Sequence, residues 1–415
     1  MKHLLLLILA LPMILHAAGT DWVTQALDHR SARCALSNPA LLAEPTPTAM
    51  SISIAGISGF GLTASNNSFS VGFWNSHIAG DKFWDASDTR AILNRIPRTG
   101  LSLDAEFGLP VLGVRYRNFA LNVDALGVGH VNVPKSVAQI ALAGCKLDDH
   151  YSLDDLIGES LAMSDVSLSY GHIIPQDYLP ELSAGLAVHY YQGFVYTDSR
   201  NSTAGFLVTD NLIQGDGEFE NVLATNGRGF GADLGMAATI TDDGKWKAGV
   251  AVQRIGANMS WQVQQTDYAT FHTSMEGVNF DSLNASGYGD RAFSHEDTTI
   301  KGGTTKLRLP LTIHASGLYQ PFANLTIEGL VDALTSDSPL GRAGIAAGAA
   351  TQYLPVHWAV LQGGILLGGP HTSLFSIGTG LRFRHHELDL NFSSAGGMFT
   401  SAHGVGASFS QRFFF

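Results

Sequence analysis

The stretch Val405-Gly-Ala-Ser-Phe-Ser-Gln-Arg-Phe-Phe-Phe415 ends the chain and alternates between two kinds of side chain. One face carries mainly apolar side chains, namely Val405, Ala407, Phe409, Gln411, Phe413 and Phe415, and the other carries Gly404, Gly406, Ser408, Ser410 and Arg412. Because successive side chains of a strand point to opposite sides of a sheet, this pattern predicts a strand with one apolar and one small, polar face. Aromatic residues at a strand end are typical of the boundary between membrane and water. The terminal strand therefore predicts a membrane barrel that closes where this strand pairs with the first one.

The same two-residue period recurs along most of the chain. Segments 164–171, 182–190, 246–253, 325–331 and 387–392 alternate apolar side chains with small or polar ones. Some polar-face positions carry charges, such as Lys247, Glu328 and Asp389, which would be unfavourable in a dry core. They are acceptable if this face lines a wet or plugged lumen. A soluble β-sandwich or propeller also alternates, but here the apolar face is unusually clean and no propeller-length repeat is present.

We therefore predict an all-β fold, a transmembrane antiparallel β-barrel of about 14 strands, with 12–16 tolerable. The number must be even because both chain ends should lie in the periplasm. The barrel is assigned to residues 49–415. Short helical inserts are expected within 76–102, with Asp88 as N-cap and Pro97 as stop, and within 132–163, starting at Pro134. The polar stretches 210–228 and 266–304 are expected to be long extracellular loops.

Composition supports a membrane protein and excludes other classes. Charged residues make up 14% of the 415 residues, compared with about 25% in a typical soluble domain. The formal net charge of −12 argues against nucleic acid as a partner, because such proteins neutralise phosphates with basic side chains. Two cysteines cannot form a disulfide framework or a structural zinc site.

The first residues have the pattern of a secretory signal peptide. Lys2 supplies a positive charge, Leu4 to Leu15 is an apolar run, and Ala17 and Gly19 occupy the small-residue positions before a cleavage site. The run is too short to span a bilayer as a helix. We therefore assign residues 1–19 as a signal peptide and expect the mature protein in the outer membrane of a Gram-negative bacterium. Its expected partners are outer-membrane lipid and, during biogenesis, the barrel-assembly machinery.

Residues 20–48 differ from the rest of the chain. Val23, Ala26 and Leu27 have helical spacing, and Pro45 and Pro47 break the stretch that follows. The segment is too short for a domain and too apolar for a disordered tail. We therefore expect it to fold into the lumen as a hatch.

Several short motifs resemble those of a known superfamily. Asn38-Pro39-Ala40 stands before a glycine-rich barrel that ends in Phe415. The other shared features are Trp74-Asn75, Ile92-Leu93, Ile96-Pro97, Gly100-Leu101 and Asn118-Phe119-Ala120. The signal peptide, Asn38-Pro39-Ala40 and the glycine-rich barrel ending in Phe415 resemble the FadL-like (long-chain fatty-acid transporter, PorV-like) outer-membrane superfamily. The other features, in this order, resemble more closely a family of uncharacterised outer-membrane proteins in that neighbourhood. The resemblance implies a fourteen-strand barrel, a hatch motif at Asn38, Pro39 and Ala40, and hydrophobic cargo, although some relatives serve in protein secretion. The C-terminal strand with Phe409, Phe413 and Phe415 likewise resembles the assembly signal of bacterial outer-membrane proteins. No ligand-binding residue is carried over.

The chain lacks the common catalytic motifs. It contains no Gly-x-Ser-x-Gly, His-Glu-x-x-His, Walker A or Cys-x-x-Cys sequence, so neither an enzyme nor a cofactor is expected. The densest histidine site, His385-His386-Glu387, places adjacent side chains on opposite faces of a strand and is a poor metal site. Cys34 and Cys145 leave two alternatives open, a disulfide between hatch and insert or two free thiols.

Three functions remain. The first is binding or passage of a hydrophobic small molecule across the outer membrane, with movement of residues 20–48. The second is a scaffold or docking role in an envelope or secretion complex. A general diffusion porin ranks below both, because the inner faces carry mostly Ser, Gly and Thr.

Overall fold

The computed structural model describes residues 22–54, 59–79, 84–154, 156–209, 212–276, 293–369 and 373–415. The predicted signal peptide, residues 1–19, lies outside these ranges.

The described residues form one antiparallel sheet of eighteen strand segments. In chain order these are β1 Met50–Ile54, β2 Gly59–Asn66, β3 Leu101–Tyr116, β4 Phe119–Val133, β5 Asp149–Ser152, β6 Ile157–Ile173, β7 Glu181–Val208, β8 Leu212–Thr239, β9 Trp246–Glu276, β10 Phe293–Lys301, β11 Thr304–Arg308, β12 Thr312–Phe322, β13 Leu325–Leu334, β14 Gly344–Val356, β15 Ala359–Gly368, β16 Ser373–Phe383, β17 His386–Ala395 and β18 Gly404–Phe414.

The sheet closes into a barrel of fourteen strands. Segments β1 and β2 are parts of one strand, because both pair with β18 and β3. Segments β10, β11 and β12 form another, because all three pair with β9. The short β5 is an extra segment that pairs with the far end of β7. The pairing of β18 with β1 and β2 closes the barrel, which confirms the predicted fold class.

Side chains along the strands alternate between a lipid-facing surface and the lumen. On β7, Leu186 and Val188 are 47% and 50% exposed, whereas Ala187 and His189 between and beside them are buried. The outer surface is apolar along the other strands too, and this is the pattern expected of a barrel surrounded by lipid.

Short helices fill the connections. They are Trp22–Ala26, Cys34–Ser37, Pro39–Ala43, Val71–Phe73, Trp74–Ile78, Ala86–Arg95, Lys135–Ala143 and Phe399–Ser401. Both predicted inserts are helical. The N-cap of Ala86–Arg95 is Asp85, whose carboxylate accepts from the amides of Ser87 and Asp88, so the prediction of Asp88 as N-cap is wrong by three residues. Among the described residues, no helix is both long and apolar enough to cross a membrane.

Two predicted loops are strands. Residues 212–228 belong to β8, and the described parts of 266–304 belong mainly to β9 and β10. Their polar side chains gave a loop-like composition, but each segment is paired along its length with a neighbouring strand. As a result β7, β8 and β9 have 28, 28 and 31 residues, far more than the roughly 10 needed to cross a bilayer. We call the end of the barrel where these strands project the loop end, and the end where β1 begins and β18 finishes the hatch end.

Candidate functional site

The hatch, residues 22–48, lies inside the barrel and touches the wall on several sides. The indole Nε1 of Trp22 donates to Ser376 Oγ on β16 at 3.0 Å. The carbonyl of Ala32 accepts from Asn122 Nδ2 on β4 at 3.0 Å. The carbonyl of Leu36 accepts from Gln253 Nε2 on β9 at 2.8 Å. These strands lie far apart around the barrel, so the hatch fills much of its cross-section, as the sequence predicted.

The Asn38-Pro39-Ala40 motif begins the 3-10 helix Pro39–Ala43 and docks it to the wall. Asn38 Nδ2 donates to the carbonyl of Met236 at 2.9 Å and lies 3.4 Å from that of Val250. Asn38 Oδ1 accepts from the amide of Ala40 at 3.0 Å. One buried amide group therefore caps a hatch turn and bonds the backbone of β8.

The wall makes room for this turn with glycines. Gly171, Gly185 and Gly235 lie directly opposite one another on β6, β7 and β8. A Cβ on Gly185 would lie 2.2 Å from the carbonyl carbon of Pro39, and one on Gly235 would lie 2.0 Å from Asn38 Oδ1. Any larger side chain at these positions would displace the motif.

The first of two charged clusters surrounds Arg412, on the inner face of β18. Its guanidinium contacts Asp28 of the hatch at 2.9 Å, Glu387 at 3.6 Å, and Asp389 in a shorter contact. Burial by itself would raise the pKa of Asp28, but Arg412 and hydrogen bonds from Ser31 outweigh it and hold that pKa well below its usual range. Asp28 is therefore a buried carboxylate that ties the hatch to the closing strand.

The second cluster surrounds His29, whose Nε2 lies 3.0 Å from Glu328 on β13 and whose Nδ1 lies 3.7 Å from Glu44. Lys247 on β9 contacts Glu44 at 2.8 Å. Although burial opposes the charged form, the two carboxylates raise the pKa of His29 to about 10, and His29 and Lys247 lower that of Glu44 to about 2. The three lumenal charges that the sequence singled out, Lys247, Glu328 and Asp389, all have partners here.

Two further arginines attach the hatch to the wall, and sequence analysis missed both. Arg33 of the hatch contacts Asp124 on β4 at 2.5 Å. Arg115 on β3 donates to the carbonyls of His29, Leu42 and Glu44 at 3.1, 3.0 and 2.9 Å. A charge at an inward position of a strand, as in Arg115, was the available signal.

Two cavities of about 310 Å³ each lie inside the barrel, between the hatch and the wall. Gln25, Leu36, Gln253 and Arg254 line both. Arg254 has a positive φ of 58°, and the pairing of β8 with β9 shifts register around it. Bulges of this kind re-aim side chains. Here the amide of Arg254 donates to Asp233 and its guanidinium to Thr312, which places a cation between the cavities.

The lumen toward the loop end is apolar. Trp261 is fully buried, and a Cβ on Gly193 or Gly227 would lie 2.1 or 2.5 Å from its ring. Around it lie Leu161, Met163, Tyr196, Val222, Met259, Val263, Leu307 and Leu309. Porin lumens are polar and wet, so this cluster distinguishes the barrel from a diffusion pore.

The C-terminal aromatics take the positions that alternation predicts. Phe409 and Phe413 face outward, with ring contacts to Phe60 at 6.4 Å and to His386 at 5.0 Å. Phe415 is exposed and exchanges backbone hydrogen bonds with Met50 across the barrel seam. Their role as an assembly signal stays a prediction.

The cysteines are free: Cys34 is buried in the hatch and Cys145 is exposed. Of the two alternatives, the structure therefore has two free thiols and no disulfide between Cys34 and Cys145. Cys34 lies 3.7 Å from Arg115 near the hatch end, whereas Cys145 follows the helix Lys135–Ala143 at the loop end. Opposite ends of a barrel are too far apart for a bridge.

No cluster of metal-ligating side chains is found among the described residues. At the densest histidine site, His386 stacks on the outward Phe413, while Glu387 contacts Arg30 in the lumen. His386 and Glu387 thus lie on opposite faces of β17, whereas His385 lies in the turn before this strand, so the predicted strand geometry does not apply to His385.

Fold and site together define a plugged transmembrane β-barrel. A model of the family of unknown function DUF5723 matches residues 39–224 and 202–390, and the chain belongs to this family. The match agrees with the resemblance to an uncharacterised family that the sequence showed. No protein of curated function matches the sequence.

Several solved barrels are similar over most of their length. A FadL homologue of Pseudomonas aeruginosa has 11% identity and a TM-score of 0.47, covering 96% of this chain and 97% of that chain. The monoaromatic hydrocarbon channel CymD has 12% identity and a TM-score of 0.47, covering 92% and 93%. The toluene transporter TodX of Pseudomonas putida has 10% identity and a TM-score of 0.41, covering 91% of each chain. None of these likenesses identifies a ligand of this chain.

Proposed function

We propose that this protein resides in the outer membrane of a Gram-negative bacterium and passes a hydrophobic small molecule through its lumen when the hatch moves. The observation that carries this proposal is the buried apolar cluster around Trp261, inside a lumen whose other end is filled by the hatch. A pore for ions or sugars would need a polar, hydrated interior at this level. An apolar interior instead favours a molecule that gains by leaving water.

The arrangement also suggests what shape of molecule fits. The apolar cluster lies toward the loop end, and the cavities nearer the hatch contain Arg254, His189 and Asp165. Tyr191 lines one of them, and its buried hydroxyl has no hydrogen-bond partner among the described residues. A cargo with an apolar body and one small polar group would satisfy both environments.

The hatch can be locked to test whether it must move. A Cβ on Gly113 of β3 would lie 3.6 Å from the Cβ of Ala32, inside the roughly 3.5–4.5 Å range of disulfides. The nearest obstacle is the rotatable hydroxyl of Ser53. The double variant Ala32→Cys/Gly113→Cys, made with Cys34 and Cys145 replaced by alanine, should therefore form a disulfide between hatch and wall on mild oxidation.

Uptake is measured in a Gram-negative host without its own hydrocarbon channels, using radiolabelled toluene and a radiolabelled long-chain fatty acid as probes. The reduced double variant should take up at least one probe faster than the empty host. Oxidation should remove the gain and a reductant should restore it, whereas each single-cysteine variant should not respond. Undiminished uptake by the fully oxidised double variant would refute hatch movement, and no gain with either probe would count against hydrophobic cargo.

A further inference from the structure

An apolar cavity of about 280 Å³ lies on the outside of the barrel at the loop end, apart from the lumenal site. Its main lining residues are Ala64, Phe69, Val71, Trp74, Leu103 and Val405. On β18, Val405 is 54% exposed and alternates with inward residues such as Ser408 and Ser410, which are buried. On β3, Leu103 precedes Asp104, which pairs with His130, and His130 in turn meets Arg342 from the other side of the lumen. The wall of the cavity is therefore the lipid-facing surface.

The cavity is roofed by residues 67–79, which we call the collar. The side chain of Asn66 holds the collar in place, because its Nδ2 donates to the carbonyls of Phe69 and His403 at 3.0 and 2.8 Å. The amide of Val71 donates to the carbonyl of Ala402 at 2.8 Å. These hydrogen bonds hold the collar away from the wall, so the cavity is present before any molecule binds.

The collar packs against the neighbouring insert that contains the helix Ala86–Arg95. Phe69 stacks on Phe73 with ring centroids 5.6 Å apart, and both belong to an apolar cluster with Ile92 and Ile96 of the neighbouring insert. The guanidinium of Arg95, at the end of that insert helix, lies 5.1 Å from the Phe73 ring. An exposed cation thus lies beside an aromatic stack whose first ring lines the cavity.

These features identify the occupant. Phe60 on β2 and Phe107 on β3 are exposed on the same outer face, nearer the hatch end, so the cavity adjoins a surface that hydrocarbon would cover. Trp74 lines it, and tryptophan is enriched where membrane meets water. The exposed guanidinium of Arg95 beside the Phe73 ring supplies a positive charge that would attract a lipid phosphate. We propose that this cavity holds one acyl chain of a phosphate-bearing lipid from the surrounding bilayer, with its phosphate beside the collar.

The test uses photo-crosslinking in vesicles. The purified protein is reconstituted with a phospholipid carrying a diazirine near the end of one acyl chain, irradiated, and mapped by peptide mass spectrometry. We expect labelling of collar and wall residues around Phe69, Trp74 and Val405 several-fold above that of the exposed apolar surface of β12 and β13. A second reconstitution with a free diazirine fatty acid at the same molar fraction distinguishes a bilayer lipid from a free apolar molecule.

Filling the cavity supplies the control. Ala64→Trp places a large side chain inside it and should reduce the labelling at least five-fold. Ala315→Trp adds the same side chain to an exposed outward position on β12 and should leave the labelling unchanged. Heat-dependent gel mobility reports whether each barrel is folded. If Ala64→Trp does not fold, Leu103→Trp fills the same cavity from β3.

Labelling that is uniform over the outer surface, or unchanged in the filled variant, would overturn the proposal. Labelling of the cavity by the free fatty acid alone would also overturn it, because the occupant would then not be a bilayer lipid. None of these outcomes depends on whether the lumen carries cargo, so the lipid cavity and the proposed transport stand or fall separately.

Discussion

Replacing Asn38 by alanine should release the hatch without unfolding the barrel. The substitution removes the 2.9 Å bond to the carbonyl of Met236 and leaves the amide of Ala40 without its acceptor. A net hydrogen bond contributes about 0.5–1.5 kcal/mol, and a buried group left unpaired costs about 1–3 kcal/mol. Together the hatch should lose about 2–4 kcal/mol of docking free energy. At about 1.4 kcal/mol per factor of ten, the open hatch becomes about 30- to 700-fold more populated.

Cys34 is a native reporter of this opening. Its side chain is fully buried in the hatch, and burial raises the pKa of its thiol to about 12, so a maleimide can react with it only when the hatch opens. With Cys145 replaced by alanine, labelling of Cys34 in detergent or vesicles should accelerate in Asn38→Ala by the factor given above. Gel mobility should still report a folded barrel.

A matched variant separates hatch docking from a general effect on the strands. Asn258 is exposed on β9 and donates to the carbonyl of Gly256 at 3.1 Å, away from the hatch. Asn258→Ala should leave the labelling rate unchanged. Equal rates for Asn38→Ala and the parent protein would refute the reasoning, because the motif would then contribute nothing to holding the hatch.

Three further predictions concern the charged clusters at the hatch and the apolar cluster around Trp261. Arg412→Met leaves three buried carboxylates without their shared cation and should destabilise the protein by about 3–5 kcal/mol, seen as a lower unfolding temperature on heated gels. Because the pKa of His29 is raised to about 10, its stabilising charge is fully present below about pH 6.5 and is lost as pH rises toward 10. The rate of Cys34 labelling, corrected for the fraction of thiolate, should therefore increase over that range. The increase should be smaller in a His29→Gln variant. Gly193→Ala should push Trp261 into the lumen and slow uptake, whereas Gly317→Ala, with no atom nearer than 3.9 Å, should not.

Much of the barrel could be predicted from the chain because its signal is local. Alternation along β18 already distinguishes the outward Phe409 from the inward Arg412, and no partner strand is needed to see it. Alternation did not reveal the polar parts of β8 and β9 that extend beyond the membrane. There polar side chains interrupt both faces, so the pattern resembles a loop, and the pairing of Glu218 with Thr270 and of their neighbours is what shows two paired strands.

The candidate site was less accessible to sequence reasoning. The motif at Asn38 was found by resemblance. The wall surface that it contacts is formed by three glycines on three strands, which become neighbours only once the strand register is set. Arg254 was hidden for a similar reason. Its inward position follows from a bulge with positive φ, and an alternation count carried through the bulge assigns the wrong face.

The charges around the hatch restrict how it can move. Some pairs lie wholly within the wall, as between Arg412 and Asp389, and would persist if the hatch shifted. Others join hatch to wall, as between His29 and Glu328 or Arg33 and Asp124, and would be broken. A buried carboxylate that loses its partner must gain water. The hatch movement proposed above would therefore hydrate the lumen at Glu328 and Asp124, next to the hatch and below the apolar cluster around Trp261.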